Sequence, residues 1–299
     1  MVQSALERKG ALDPVTHQDV IIIGAPRSGT NMLRDVLCSL EGVATWPCDE
    51  INYIWRHGNV RYGSDEFVPS MADGTIAKYI RRQFDWVARR YRAHTVVEKT
   101  CANSLRVPFV DRVVPQARYL FIYRDGFDAV GSAMKRWKAQ LDIPYLARKA
   151  RFVPATDLPY YAFRYFWNRV YRLFSGEERL AFWGPQLDGM QRLLEKYSLE
   201  EVCALQWKRC VEMSHNALEQ LPHERVCSVR YEHFVDRPLD EFSRIAGFLG
   251  LEVSEAQLAR AVRDVSAKSV GRGRHELGED LVNRLAPLVG ETRQAMGYV

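Results

Sequence analysis

The sequence has no long hydrophobic run. Its apolar runs are the length of single strands, whereas a membrane-spanning helix needs about 18 or more apolar residues in succession. Residues 1–18 are polar and lack the cationic start, apolar stretch and small-residue cleavage site of a secretory signal. We therefore expect no transmembrane segment, a polar N-terminal extension over residues 1–18, and a cytoplasmic protein.

The sequence also lacks the cysteine and charge patterns of two other protein classes. Its 6 cysteines are scattered, without a Cys-x-x-Cys pair or a histidine at metal-binding spacing, so we expect mostly buried thiols and neither a zinc site nor a disulfide. The 42 Lys and Arg against 37 Asp and Glu leave a formal charge of +5. This excess is too small to indicate a nucleic-acid partner, but it suits a phosphorylated cofactor or an anionic acceptor.

What the sequence does contain is a series of short apolar runs separated by helical patterns. Most of the runs are rich in Val and Ile and lack polar alternation, which is typical of parallel strands buried on both faces. They are Asp19–Gly24, Gly42–Trp46, Thr95–Glu98, Arg118–Tyr123 and Arg225–Arg230. Strands alternating with helices imply right-handed crossovers. We predict an α/β fold over residues 19–299, with a central parallel sheet flanked by helices in three layers.

Several helix boundaries are marked by capping residues. Ser198 and Ser254 are each followed three residues later by Glu or Gln, the capping-box pattern that opens a helix, and the first of these helices extends to about Leu221. Pro238 and Gly250 occupy the first-turn and C-terminal positions of another helix.

Residues 139–187 interrupt this alternation with four prolines and many aromatic residues. Such an insertion after a strand and its helix forms either a lid or acceptor-binding wall, or a helical subdomain that packs its aromatics into the core. The sequence leaves both interpretations open.

A glycine-containing loop, Gly24 to Asn31, joins the first strand to a helix. Loop amides and a helix N-terminus can hold an anion there. Gly24 and Gly29 have the spacing of a triphosphate-binding P-loop, but Thr30 stands where the lysine belongs and Asn31 where the magnesium-binding hydroxyl belongs. The cation lies inside the loop instead, at Arg27. The pattern therefore predicts a phosphate cradle and disfavours a Mg²⁺-dependent kinase.

Two further segments carry paired basic and small residues. The strand Arg118–Tyr123 leads into Arg124, and Ser132 follows eight residues later. A guanidinium fork and a hydroxyl suit a phosphate monoester. The alternative is that Arg124 only forms an ion pair with Asp128 on the surface. Near the C-terminus, residues 268–274 combine glycine and arginine, which fits either a phosphate-approaching loop or a solvated one.

Together these segments resemble the PAPS-dependent sulfotransferases, and in particular a bacterial, glycan-sulfotransferase-like branch. PAPS is 3′-phosphoadenosine-5′-phosphosulfate. The resemblance runs from Val20 to about Gly297 and implies a P-loop-like α/β fold and no metal. It assigns the donor-binding residues as Arg27, Ser28, Gly29, Thr30 and Asn31 at the 5′-phosphosulfate, Arg124 and Ser132 at the 3′-phosphate, and Gly271, Arg272 and Arg274 in a flexible basic loop over the nucleotide. It also places Tyr231 near the adenine, although packing at a strand end is the alternative role for that ring and the one that its position favours.

The same resemblance suggests the catalytic residues. The base is a glutamate just past the second strand in the glycan-modifying branch, and Glu50 lies there, with Asp49 as the near alternative. Other candidates near strand ends are Glu98, His57 and His94, and neither histidine has a context equivalent to that of the histidine-based family members. Lys99 belongs to a Glu-Lys-Thr signature and would act with Arg27 on charge that develops at the bridging oxygen.

The implied reaction moves a sulfuryl group from PAPS to a hydroxyl or amine of an acceptor, expected to be a carbohydrate, glycolipid or other glycoconjugate. A small-molecule or lipid alcohol is the alternative acceptor. A nucleotide-dependent kinase and a non-catalytic PAP-binding module, PAP being the desulfated product, are the alternatives from other classes.

Overall fold

In the computed structural model, the described residues contain five strands, which form one parallel sheet in the order β2-β3-β1-β4-β5. The structure describes residues 16–137, 151–161 and 183–299. The strands are β1 (Gln18–Ile23), β2 (Val43–Ala44), β3 (Thr95–Lys99), β4 (Arg118–Tyr123) and β5 (Val226–Arg230). All five lie within a residue or two of the predicted runs, although β2 is shorter than predicted.

Helices follow the strands along the chain. Those up to residue 137 are α1 (Thr30–Cys38), α2 (Asn52–Trp55), α3 (Gly74–Tyr91), α4 (Val107–Val113) and α5 (Gly126–Trp137). Those after residue 182 are α6 (Met190–Lys196), α7 (Leu199–Leu218), α8 (Tyr231–Asp236), α9 (Pro238–Leu249), α10 (Glu255–Val262), α11 (Arg272–Leu277) and α12 (Glu279–Ala295). Capping boxes at Ser198 and Ser254, and left-handed Gly250 after α9, confirm the predicted helix signals.

The sheet is covered on both faces, which explains why its strands lack polar alternation. In β1, Ile21 and Ile23 belong to the core cluster that includes α3, α4, α5, α7 and α12, whereas Val20 and Ile22 belong to the cluster that includes α1, α8, α9 and α10. All four of these side chains are 0% exposed. The three-layer α/β prediction is confirmed.

The topology brings the predicted site together at one edge of the sheet. Ile22 is in register with Lys99, and Ile23 with Phe121, so the loops after β1, β3 and β4 leave from neighbouring carboxyl ends. Ligands of open α/β sheets bind at this edge.

Two predicted segments fall largely outside the described residues. Of the expected insertion at 139–187, only 151–161 and 183–187 are described, and of the expected extension at 1–18, only residues 16–18. β1 begins at Gln18, just inside that extension, and His17 bonds to Asp85 at 3.1 Å. No helix in the described ranges is both long enough and apolar enough to cross a lipid bilayer.

Candidate active site

The loop after β1 is held in a conformation that only particular residues allow. Arg27 has φ 72° and Gly29 has φ 90°, and the N–H of Ser28 donates to the carbonyl of Ala25 at 3.2 Å. A methyl group on Gly29 would lie 2.4 Å from Cδ2 of Tyr231. Glycine is therefore required at position 29 by both backbone and packing.

This loop presents hydrogen-bond donors that have no partner among the described residues. No side chain caps the first turn of α1, so its amides remain available to an anion. Ser28 is buried, and its Oγ has no hydrogen-bond partner among the described residues. Thr30 instead contacts Cys101, with 3.7 Å between Oγ1 and Sγ, and Asn31 is exposed. A ligand rich in acceptor oxygens fits such a cradle.

Arg27 connects the loop to the segment that contains Arg124 and Ser132. Its Nε donates to Oγ of Ser132 at 2.8 Å, and Ser132 lies in the second turn of α5. Although Arg27 as a residue is exposed, its pKa is lowered, first by burial and then by the positive charge of Arg136. The structure thus brings a cluster of positive charge to the carboxyl edge of the sheet.

Arg124 lies beneath this cluster, with its side chain 7% exposed. Nη1 donates to the carbonyl of Arg27 at 3.3 Å, Nη2 donates to Oδ2 of Asp128 at 3.1 Å, and the guanidinium carbon is 4.5 Å from the centre of the Tyr231 ring. The alternative of an Arg124–Asp128 pair is therefore real, but the pair is buried and not on the surface. Nε of Arg124 is buried without a partner in the described part of the chain.

Lys99 and Glu50 meet at the end of β3. Nζ of Lys99 donates to Oε1 of Glu50 at 3.1 Å, and the backbone N–H of Cys101 reaches the same oxygen at 3.4 Å. The Lys99 side chain is 2% exposed, against 27% for Glu50. Burial is the largest single influence on the pKa of Lys99 and lowers that pKa. The nearby Glu50 carboxylate acts in the opposite direction and outweighs burial, so the pKa of Lys99 is raised. The pair is a buried cation next to a carboxylate that an acceptor can reach.

The other base candidates are engaged elsewhere. Arg34 donates to the carbonyl of Asp49 at 3.2 Å and to its Oδ1 at 3.4 Å. His57 is bonded to Asp157 at 2.9 Å, and His94 precedes β3, at the amino edge of the sheet. Neither histidine is placed beside Lys99.

Glu98 points away from Lys99 into a buried polar network. Nδ2 of Asn103 donates to Oε2 of Glu98 at 2.9 Å, and Nε of Arg106 donates to Oδ1 of Asn103 at 2.8 Å. Asp65 then accepts from Arg106 at 3.4 Å and from Arg56 at 2.7 Å. Glu98, a base candidate from the sequence, thus lies in a structural network and not beside Lys99. Burial raises its pKa to about 7 and lowers that of Arg106 to about 10.

The predicted basic loop is folded. A short 3₁₀ turn, Ala267–Ser269, leads into α11, whose N-cap is left-handed Gly271 with φ 74°. Arg272 bonds to Glu276 at 2.9 Å, and the Arg274 guanidinium lies 5.3 Å from the centre of the Phe127 ring. Both arginines are exposed.

Tyr231 packs between these elements. It begins α8 and is 7% exposed. Its hydroxyl bonds to Oγ of Ser269, while its ring contacts Gly29 and the guanidinium of Arg124. Packing at the strand end therefore occurs, and a contact with adenine stays a prediction.

Two residues of the site, Thr100 and Asp128, received no role there from the sequence. Oγ1 of Thr100 accepts from the N–H of Ile51 at 3.1 Å and so fixes the segment that follows Glu50. Asp128 binds the N–H of Gly271 at 2.7 Å. The only signal for Asp128 was its position four residues after Arg124, which is typical of any helical ion pair.

The arrangement is that of an anion site. In the ranges described, no group of three or more His, Cys, Asp or Glu side chains gathers to hold a metal. Ser28 Oγ and Arg124 Nε, which have no partner in the part of the chain that the structure describes, fit phosphate or sulfate oxygens together with the loop amides.

Known proteins share this architecture. Solved structures with a similar fold include the sulfotransferase STF9 from Mycobacterium avium, with a TM-score of 0.57 and 14% identity over 100% of this chain and 81% of that one. A sulfotransferase domain from the curacin biosynthetic pathway has a TM-score of 0.54 and 14% identity, covering 95% and 98%. Mouse sulfotransferase SULT7A1, complexed with PAP, has a TM-score of 0.50 and 14% identity, covering 93% and 85%.

At these identities the structures establish a shared fold, and no curated protein sequence matches the chain. A model of the sulfotransferase family, however, matches residues 19–176 and 168–255, which together span most of the sequence. The chain therefore belongs to the sulfotransferase family, as its motifs predicted.

Proposed function

We propose that the protein transfers a sulfuryl group from PAPS to an acceptor hydroxyl or amine, with Glu50 as the base. The observation that carries this proposal is the contact of 3.1 Å between Lys99 and Glu50 at the carboxyl edge of the sheet, beside the loop that holds Arg27. PAPS supplies the sulfuryl group and leaves as PAP. The loop and α1 amides would hold its 5′ end, and Arg124 with Ser132 its 3′-phosphate.

Each charged residue has a distinct task in this proposal. Glu50 accepts the proton of the acceptor, since its side chain is partly exposed whereas Lys99 is buried. Lys99 and Arg27 stabilise negative charge on the departing oxygen. Arg27 acts by charge and hydrogen bonding, because an arginine does not readily give up a proton.

A carboxylate base supports a carbohydrate or glycoconjugate acceptor, since the resemblance links glutamate to the glycan-modifying branch. Neither His57 nor His94 competes for the position. A Mg²⁺-dependent kinase is disfavoured because the P-loop lysine that it needs is replaced by Thr30. The side chain of Thr30 is buried against Cys101. We keep the cytoplasm as the proposed location.

The test begins with labelled PAPS and a panel of glycans, glycolipids, lipid alcohols and phenols. A labelled glycan supports the proposed acceptor class, and labelling confined to phenols or lipid alcohols replaces it. Glu50→Gln should then lower kcat by about 10²-fold or more, the usual contribution of a general base, with PAP affinity unchanged.

Asp49→Asn is the matched control, because Asp49 is the adjacent carboxylate and is held by Arg34. It should retain kcat within about 3-fold, well short of the loss that removal of a general base causes. If Asp49→Asn loses activity while Glu50→Gln keeps it, Asp49 is the base and the assignment is wrong.

A further inference from the structure

Asp128 was not among the predicted site residues, yet it joins two of the phosphate-binding candidates. Its side chain is 3% exposed. Oδ2 accepts from Nη2 of Arg124 at 3.1 Å and from the N–H of Gly271 at 2.7 Å, and Oδ1 accepts from the N–H of Arg274 at 3.1 Å. One carboxylate therefore ties the end of β4 to a segment 143 residues further along the chain.

The same junction is closed by direct backbone packing. A methyl group on Gly273 would lie 2.4 Å from the carbonyl oxygen of Asp128, and one on Gly131 would lie 2.6 Å from the carbonyl oxygen of Gly273. Helices α5 and α11 thus approach at a distance that only glycine permits. Segment 269–274 is docked on α5 by both packing and hydrogen bonds.

Arg124 is oriented by the same contacts. Nη2 also donates to the carbonyl of Ser269, and Nη1 donates to the carbonyl of Arg27. These acceptors engage the two terminal nitrogens, while Nε has no partner among the described residues. An arginine fixed in this way loses less rotamer entropy when it binds a phosphate.

We propose that Asp128 is a positioning residue for the 3′-phosphate, which holds Arg124 and segment 269–274 as one preformed unit before the nucleotide binds. The inference rests on the proposed function, because it takes the 3′-phosphate as the ligand of Arg124. Asp128 acts through its neighbours and does not touch the phosphate itself.

A positioning role for Asp128 and simple charge repulsion predict opposite changes in PAP affinity when the charge of Asp128 is removed. A carboxylate near a phosphate repels it, so removing the charge of Asp128 would by itself tighten PAP binding. If Asp128 positions the site, Asp128→Asn weakens PAP binding instead, since an amide cannot accept from two backbone N–H groups and a guanidinium at once.

The experiment measures dissociation constants of PAP and of adenosine 5′-phosphate by calorimetry. Adenosine 5′-phosphate lacks only the 3′-phosphate. Asp128→Asn should weaken PAP roughly 10-fold or more and adenosine 5′-phosphate less than about 2-fold, because the lost hydrogen bonds are charge-assisted and serve the 3′ site. Asp111→Asn is the control: Asp111 pairs with Arg225 at 2.6 Å near the amino edge of the sheet, and its removal should leave the ratio unchanged.

The outcomes separate this inference from the function on which it rests. Equal weakening of both nucleotides, or tighter PAP binding by Asp128→Asn, overturns the positioning role alone. A wild-type protein with no preference for PAP overturns the proposed function and the inference with it. If Asp128→Asn does not fold, Gly273→Ala should displace α11 and cause the same selective loss, and an unchanged nucleotide ratio in that variant rejects the proposal.

Discussion

Glu98→Gln replaces a buried carboxyl whose protonation differs between the folded and unfolded chain. Glu98 is 0% exposed, and its Oε2 accepts from Asn103 at 2.9 Å. Burial is the main reason that the pKa of Glu98 rises from 4.5 to about 7 in the folded protein. Gln keeps an acceptor oxygen for Asn103 but does not titrate.

The sign of the effect follows from which state holds the proton. Between pH 4.5 and pH 7 the unfolded chain has lost the Glu98 proton while the folded protein still carries it. The free energy of unfolding therefore falls as pH rises through this interval, and the loss is complete above the folded-state pKa. The difference between the two pKa values corresponds to about 3 kcal/mol.

Urea unfolding of wild type and Glu98→Gln at pH 5 and pH 8 measures this contribution. The stability of the variant relative to wild type should rise by about 2–3 kcal/mol from the lower to the higher pH. Glu224→Gln, at an exposed carboxyl, serves as the control and should show no such rise. A relative stability that stays constant within about 0.5 kcal/mol would mean that Glu98 is not held neutral in the folded protein.

Two further substitutions test the loop and a distant helix. Gly29→Ala should lower both the melting temperature and the PAP affinity, because the new methyl group would lie 2.4 Å from Tyr231 and the backbone φ at this position is 90°. Calorimetry measures both quantities, and unchanged values would contradict the close packing of Gly29 on Tyr231. Ser198→Ala removes the capping box of α7 and should cost about 1 kcal/mol in urea unfolding with PAP affinity unchanged, so a weaker PAP complex would be at odds with a purely local cap.

The fold was accessible from the sequence because its signals are local. A strand buried on both faces is a continuous apolar run, and β1, β3 and β4 read that way. Capping boxes are fixed by residues three apart, as at Ser198 and Ser254. The order β2-β3-β1-β4-β5 was not predicted, since strand pairing depends on contacts between distant segments.

The site was predicted in part for the same reason. Arg27, Arg124 and Ser132 come from short motifs, and the structure brings them together. What the sequence did not reveal is how Asp128 is used, because its partner Gly271 is 143 residues away. A basic loop near the C-terminus was expected, and a docked 3₁₀ turn with a short helix was found.

We propose that the site binds a 3′-phosphorylated nucleotide and needs no metal to do so. Calorimetric titration of the purified protein with PAP and with ATP, each with and without Mg²⁺, tests it most directly. We predict tight PAP binding that is the same with and without Mg²⁺, and much weaker binding of ATP. Preference for ATP that appears only with Mg²⁺ would contradict the account.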